Sequence, residues 1–297
     1  MRQVSLEELL EAGCHFGHQV TRSNPKARDF IFEAREGVHI IDLSKTKEGL
    51  EEAGRFVKSV ASKEGSVMVV VGTKRQAKGI IEEEVKKAKD SIGTPDTDGI
   101  FFVTNRWIGG LLTNFSEVSK NFQKLIDLTA KIQSPDEREK FTKKEVGGWE
   151  KERQKLEGLY GGVFKIAKTP DLLFIVDSHL EDLAVKEASK MGVATVAIVD
   201  TNADPQAVDY PIPANDDAVG SIDLIVKYIM EAWVEGRKAS QTQNSKLKTQ
   251  KEEAKEPLKG LKKEKPKDEK SKVSKPKKVK EDKLDVKSKS GTVKKTS

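Results

Sequence analysis

The chain has 297 residues, 36% of them hydrophobic and 34% charged, with a formal net charge of +6. That charge is split: Arg237 to Ser297 hold 22 Lys and Arg against 9 Asp and Glu, a net of +13, which leaves −7 on residues 1–236. The lone Cys14 excludes an internal disulfide and suits a reducing cytosol, and no apolar run approaches the length that spans a bilayer.

In chain order, the first element is a short helix. Ser5 followed by Glu8 makes a capping box, and "LEELLEA" runs from it to Gly13. "VHIID" (38–42) reads as a strand, after which Ser44 is placed to cap the amphipathic helix "KTKEGLEEAGRFVKSVAS". The alternation then recurs. "VMVVV" (67–71) leads into "RQAKGIIEEEVKKA", and "GIFFV" (99–103) opens into a glycine-rich loop. "LLFIV" (172–176) precedes "EDLAVKEASKM", and "VATVAIV" (193–199) precedes a loop and a last long helix. Strands apolar on both sides, alternating with amphipathic helices, indicate a parallel sheet buried on both faces. Right-handed crossovers would put helices on each face, so residues 1–114 and 160–236 are expected to form an α/β three-layer sandwich.

Residues 115–159 break that rhythm. Val118, Phe122, Leu125 and Ile132 sit at roughly heptad spacing with Thr129 between the last two, "SPDERE" (134–139) reads as a turn, and Trp149, Leu156 and Leu159 give a returning seam. Two antiparallel helices would make an inserted coiled-coil hairpin. Gly147-Gly148 lies inside the second arm, and at about 1 kcal/mol per glycine relative to alanine it predicts a kink or break. Beyond about Arg237 the sequence is lysine-rich and has no aromatic residue. Such a segment cannot bury enough apolar surface to offset its ordering entropy, so residues 237–297 are expected to be a disordered tail.

A search for chemistry returns little. His15 and His18 have ligand-like spacing, but Gly13 and Gly17 disfavour a helix there and no third and fourth zinc ligand stands out among His39, His179 and Cys14. Asp177, Asp200 and Asp204 fall at strand ends, where such residues commonly close turns. "VVVGTKRQAKG" resembles a strand, turn and helix start, yet it carries neither G-x-G-x-x-G nor G-x-x-x-x-G-K-[ST]. No catalytic triad can be assembled, and no metal or cofactor is expected. What remains is three loops that mix cations, amides and flat rings, "HFGHQVTRSNPK", "GTKR" and "TNRWIGGLLTN". Cations and amides bind phosphate and sugar, and an exposed indole or imidazole can stack on an unpaired base. The alternative is that Trp107 is buried and the polar residues close turns.

These stretches also carry a family resemblance. "AGCHFGHQ" with "NPK", "FIFEAREGVHIIDLSKT", "VVVGTKRQA", "NRWIGGLLTNF", "FTKKE", "PDLLFIVDSHLEDLAVKEASKMGV", "AIVDTNADP" and "VDYPIPANDDA" resemble the small-subunit ribosomal protein S-two family, bacterial type, in that family's order. The resemblance implies a flavodoxin-like αβα sandwich with a protruding coiled-coil hairpin. It implies a non-catalytic structural subunit of the small ribosomal particle, cytoplasmic, lying between head and body and contacting small-subunit rRNA. Neighbouring small-subunit ribosomal proteins are the other implied partners, and some family members help dock ribosomal protein S-one. By the matching motifs, the RNA contacts would be His15, His18, Gln19, Arg22, Asn24 and Lys26 in the first loop, Lys74 and Arg75 in the second, and Asn105, Arg106, Trp107 and Asn114 in the third. The net negative body is unusual for an RNA binder, and it requires acidic helices that face away from those loops.

Overall fold

The computed structural model describes residues 2–93, 99–135 and 139–253, with side chains through residue 242. Met1–Thr249 form one compact unit, and Gln250–Ser297 a second of which only the first residues are described. Helix α1 (Leu6–Glu11) starts on the expected capping box, with Ser5 and Glu8 each accepting from the other's backbone N–H.

Three short strands follow, β1 (Phe16–Gln19), β2 (Ile31–Arg35) and β3 (Val38–Ile41), and they form an antiparallel sheet in the order β1-β3-β2. The "VHIID" strand therefore does not join the parallel sheet that follows it. Its partner is set by the two-residue turn Glu36-Gly37, where both residues have positive φ, 52° and 80°. That conformation matches the twist of a hairpin and returns the chain directly against itself. Helix α2 (Leu43–Ala61) is capped by Asp42, whose side chain accepts from Ser44 N at 2.9 Å. Ser44 thus lies inside the first turn rather than capping it.

The main sheet comprises β4 (Met68–Val71), β5 (Ile100–Val103), β6 (Leu172–Ile175), β7 (Ala194–Val199) and β8 (Tyr210–Pro213). All pairings are parallel and the order is β5-β4-β6-β7-β8. In chain order this is 2-1-3-4-5, a doubly wound arrangement whose switch point lies between β4 and β6. β8 contains Pro211 and Pro213, which a central strand would not accept and which an edge strand tolerates.

The helices of this region are α3 (Arg75–Ile92), α4 (Phe115–Gln133), α5 (Lys143–Tyr160), α6 (Asp182–Met191) and α7 (Val219–Glu253). Alternation along the strands sorts the core into two layers. Val70, Phe174, Val196, Ile198 and Ile212 pack with residues of α2, α3 and α7, including the fully buried Trp233. Val69, Val71, Leu173, Ile175, Ala197 and Val199 pack with α6 and the segment Trp107–Leu112. Each fully buried aliphatic side chain contributes about 1.5–3 kcal/mol, which is what an all-apolar strand gains from being covered on both sides.

Helices α4 and α5 run antiparallel and pack against each other. Phe122 meets Tyr160 edge-on at 5.5 Å, Asn121 donates to the Tyr160 hydroxyl, and Lys124 pairs with Glu152. The buried stripe on α4 is Val118, Phe122, Leu125 and Leu128. A break at Gly147-Gly148 is absent, because α5 is continuous through both. It starts on a second capping box, Thr142 with Glu145, which with the packing against α4 offsets the cost of two glycines. The turn expected at 134–139 falls partly on residues 136–138, outside the described residues. At the other end, α7 continues past Arg237, the boundary expected for a disordered tail. Arg237 is buried, donates to the Lys63 and Ser66 carbonyls, and lies over the Trp233 ring, so the body includes it. The tail beyond 253 lies outside the described residues.

Candidate nucleic-acid interface

The loops singled out in the sequence converge on the carboxyl end of the main sheet, where doubly wound folds build their sites. The turn with Lys74 and Arg75 leaves β4, and the stretch from Asn105 leaves the adjacent β5. The first loop is tied to the end of β7. His18 N donates to Thr201 Oγ1 at 2.9 Å, Asn24 N donates to the Thr201 carbonyl at 2.7 Å, and Lys26 pairs with Asp204 at 2.6 Å. Gly17 permits this closeness, since a Cβ there would lie 2.7 Å from the Thr201 side chain. From β5 to β7 is three strand spacings, about 14 Å, so the three loops share one rim.

The loops divide their side chains between inward and outward work. Lys74 faces inward: its ammonium lies 2.9 Å from Asp177, 2.7 Å from Asp216 and 2.8 Å from Asp217. Burial alone would lower its pKa, but the three carboxylates outweigh that and hold it well above the ordinary lysine range. His18 also faces inward, with Nδ1 3.1 Å from Asp200 and Nε2 3.5 Å from Asp217. The Asp200 hydrogen bond raises its pKa against the effect of burial. Four aspartates thus meet one ammonium and one imidazole. The excess negative charge falls on Asp216, fully buried, whose pKa is pushed up to about 7 by desolvation and then by Asp177 and Asp200. One donor atom each from His18, Asp200 and Asp216 lie within 4.8 Å of one another, a spacing a metal ion could bridge.

Trp107 is not available for stacking. It is 6% exposed, and its indole N–H donates to Glu187. The same carboxylate accepts from Gly110 N at 2.8 Å and from Leu112 N, Thr113 N and the Thr113 hydroxyl. Burial works against this carboxylate's charge, yet the donors outweigh it and lower its pKa. The glycine-rich loop is therefore wrapped round the protein's own anion. Asn105 bridges Lys78 and the Gly158 carbonyl, joining the rim to the end of α5. Asn24 caps the short 3₁₀ helix Pro25–Phe30. His15 packs its ring against Phe16 at 4.0 Å, its Nδ1 is buried without a partner, and burial lowers its pKa.

Lys26 and Asn105 are exposed but engaged within the protein, and the outward residues without such ties are a smaller set. Gln19, Arg22, Arg75, Arg106 and Asn114 are exposed, and none of the three arginines has an ion-pair partner among the described residues. Asp216, Asp217, Thr201 and Glu187 were missed as rim residues. Asp216-Asp217 reads as a helix start, and only the position beyond a parallel strand hinted at more. Among the described residues no helix is long and apolar enough to cross a membrane.

Comparison with known proteins is specific. The family described as "Ribosomal protein S2" matches residues 9–236. A protein of Geotalea uraniireducens named "Small ribosomal subunit protein uS2" is 44% identical over 254 residues, covering 86% of this chain and 93% of the relative. Proteins of that name from Corynebacterium diphtheriae and Dictyoglomus thermophilum are each 45% identical, covering 80% of this chain and 86% and 92% of theirs.

Proposed function

The chain belongs to the ribosomal protein S2 family, and from that premise we propose that it is a structural subunit of the small ribosomal particle whose carboxyl rim grips small-subunit rRNA. The observation that carries this is the exposure of Arg22, Arg75 and Arg106 on three loops of one rim. Each arginine offers a planar fork of donors suited to phosphate. Gln19 and Asn114 add amides that can reach sugar or base edges. His18, Lys74 and Trp107 hold those loops in place from beneath, and Asn24, Lys26 and Asn105 fix their turns.

In this reading the protein is non-catalytic, works in the cytoplasm as part of the ribosome, and supports translation from between head and body. The helix pair α4–α5 acts as a coiled-coil hairpin projecting from a flavodoxin-like sandwich. Other small-subunit proteins are its neighbours, ribosomal protein S-one among them in some family members. The lysine-rich C-terminal segment adds electrostatic affinity, with each phosphate neutralised steepening the log–log salt dependence by about 0.7–0.9. Deleting residues 250–297, which leaves the first compact unit whole, should weaken rRNA binding at low salt, and an unchanged salt slope would remove that role.

The test of the class is gradient sedimentation of cell extracts at moderate and high salt. The protein should travel with the small subunit. Sedimentation as a free protein at both salt concentrations would rule the reading out.

A further inference from the structure

At the amino end of the main sheet, opposite the rim, lies a cavity of about 530 Å³, within the size range of small-molecule sites. The segments that lead into β4, β5 and β6 form its walls, and α7 closes one side through Arg237 and Ser240. Gly99 is required for that closure. Its φ is +66°, and a Cβ there would run into the Ser66 carbonyl and the Arg237 guanidinium. None of the residues assigned to the rim lines this cavity.

Three features of the lining point to one kind of occupant. The first is Ser66, which is 3% exposed and whose hydroxyl has no hydrogen-bond partner. Its backbone N–H donates to the Lys63 carbonyl and its carbonyl accepts from Arg237, so only the hydroxyl is left for a bound group. The second is an apolar wall of Val67 and the half-buried Phe101 ring. Lys89 lies 5.3 Å from the centroid of that ring but does not line the cavity. The third is charge. Lys168 is held by Asp171 at 2.8 Å, whereas Lys165 is exposed and has no ion-pair partner among the described residues. Lys165 and Arg237 against Glu64 leave the lining net positive.

We propose that this cavity binds a nucleoside 5′-monophosphate unit, supplied by a free nucleotide or by one unpaired residue of an RNA. The base lies against Phe101, a polar group of the base or ribose meets the Ser66 hydroxyl, and the phosphate sits on Lys165. A flat apolar face, a polar edge and a negative charge are what such a unit combines, and aromatic rings and cations are what bind it. Inorganic phosphate would leave Val67 and Phe101 without a use. A purely apolar ligand would leave Ser66 and Lys165 without one.

The test is calorimetric titration of the full chain with AMP, GMP, CMP and UMP. At least one should fill a single saturable site with a dissociation constant below about 1 mM, and its nucleoside should bind more weakly. Lys165→Gln should remove most of that difference. Ser66→Ala should weaken the nucleotide about fivefold, the worth of one hydrogen bond, and keep or raise the melting temperature, since the hydroxyl has no partner in the fold. Ala167→Phe puts a ring into the cavity from an exposed position and should abolish binding in a folded protein. The triple rim variant (R22Q, R75Q, R106Q) should bind the nucleotide as wild type does. In that background a short single-stranded oligoribonucleotide assigns the source: displacement of the nucleotide makes the occupant an RNA residue, and no displacement makes it a free nucleotide. Absence of saturable binding for all four nucleotides would overturn the inference and leave the rim reading untouched. Full affinity in Ala167→Phe, a lowered melting temperature in Ser66→Ala, or loss of nucleotide in the rim variant would each overturn it as well.

Discussion

Lys74 gives the sharpest prediction about how the rim is built. Its side chain is 15% exposed and serves three carboxylates, of which Asp177 and Asp216 have side chains only 6% and 1% exposed. Lys74→Met keeps the aliphatic stem and leaves two buried carboxylates without their cation. Breaking a buried pair from one side costs about 3–5 kcal/mol. For a body of this size each kcal/mol shifts the melting temperature by about 2–4 °C, so the expected loss at pH 8 is about 6–20 °C. At pH 5 the loss should be smaller. Asp216, with its pKa pushed up to about 7, then carries a proton and no longer needs the ammonium. Thermal melts of wild type and variant at both pH values read this directly. Equal losses at pH 5 and pH 8 would refute the charge accounting, and a loss below about 1 kcal/mol at pH 8 would return Lys74 to the surface-exposed class.

Two further outcomes follow from the same geometry. Between its ordinary 3.8 and about 7, Asp216 holds a proton in the folded state that the unfolded chain has released. Its contribution to stability is therefore present at low pH and lost as pH rises through about 7, and His18, also raised, acts in the same direction. Asp216→Asn should flatten the fall in stability between pH 5 and pH 8 measured by urea unfolding, and an undiminished slope would contradict the assignment. Glu187→Ala leaves the Trp107 indole and the N–H groups of Gly110, Leu112 and Thr113 without their acceptor. It should cost about 2–4 kcal/mol and shift tryptophan emission to the red, whereas an unchanged spectrum would mean that Glu187 does not hold the loop.

The parts that were legible in the sequence are those set by local pattern. The Ser5–Glu8 box and the all-apolar strands β4, β6 and β7 carry their own signal and lie where it put them, whereas the stripe of α4 keeps Val118, Phe122 and Leu125 but buries Leu128 in place of Thr129 and Ile132. The misreadings are of partners for some elements and of the elements themselves for others. Val38–Ile41 is a strand, but only the positive φ of Glu36 and Gly37 sends it into a hairpin instead of the parallel sheet. β8 was read as loop because two prolines hide an edge strand. For the rim, the sequence names the loops and not the direction of each side chain. Lys74, Arg75, Arg106 and Trp107 look alike as RNA candidates, yet buried aspartates claim the first and Glu187 claims the last. Asp216 and Glu187 lie far along the chain from the residues they hold, at separations of 142 from Lys74 and 80 from Trp107, which no local pattern reveals.

The claim that exposed arginines on this rim hold rRNA is tested most directly by replacing Arg22, Arg75 and Arg106 with Gln in the full chain. All three are exposed and unpaired among the described residues, so the melting temperature should stay within a few degrees of wild type. Binding to purified small-subunit rRNA over a series of salt concentrations should then show a log–log slope shallower by about 2–3, at roughly 0.7–0.9 per phosphate. A folded triple variant that binds with the wild-type slope and affinity would contradict the account.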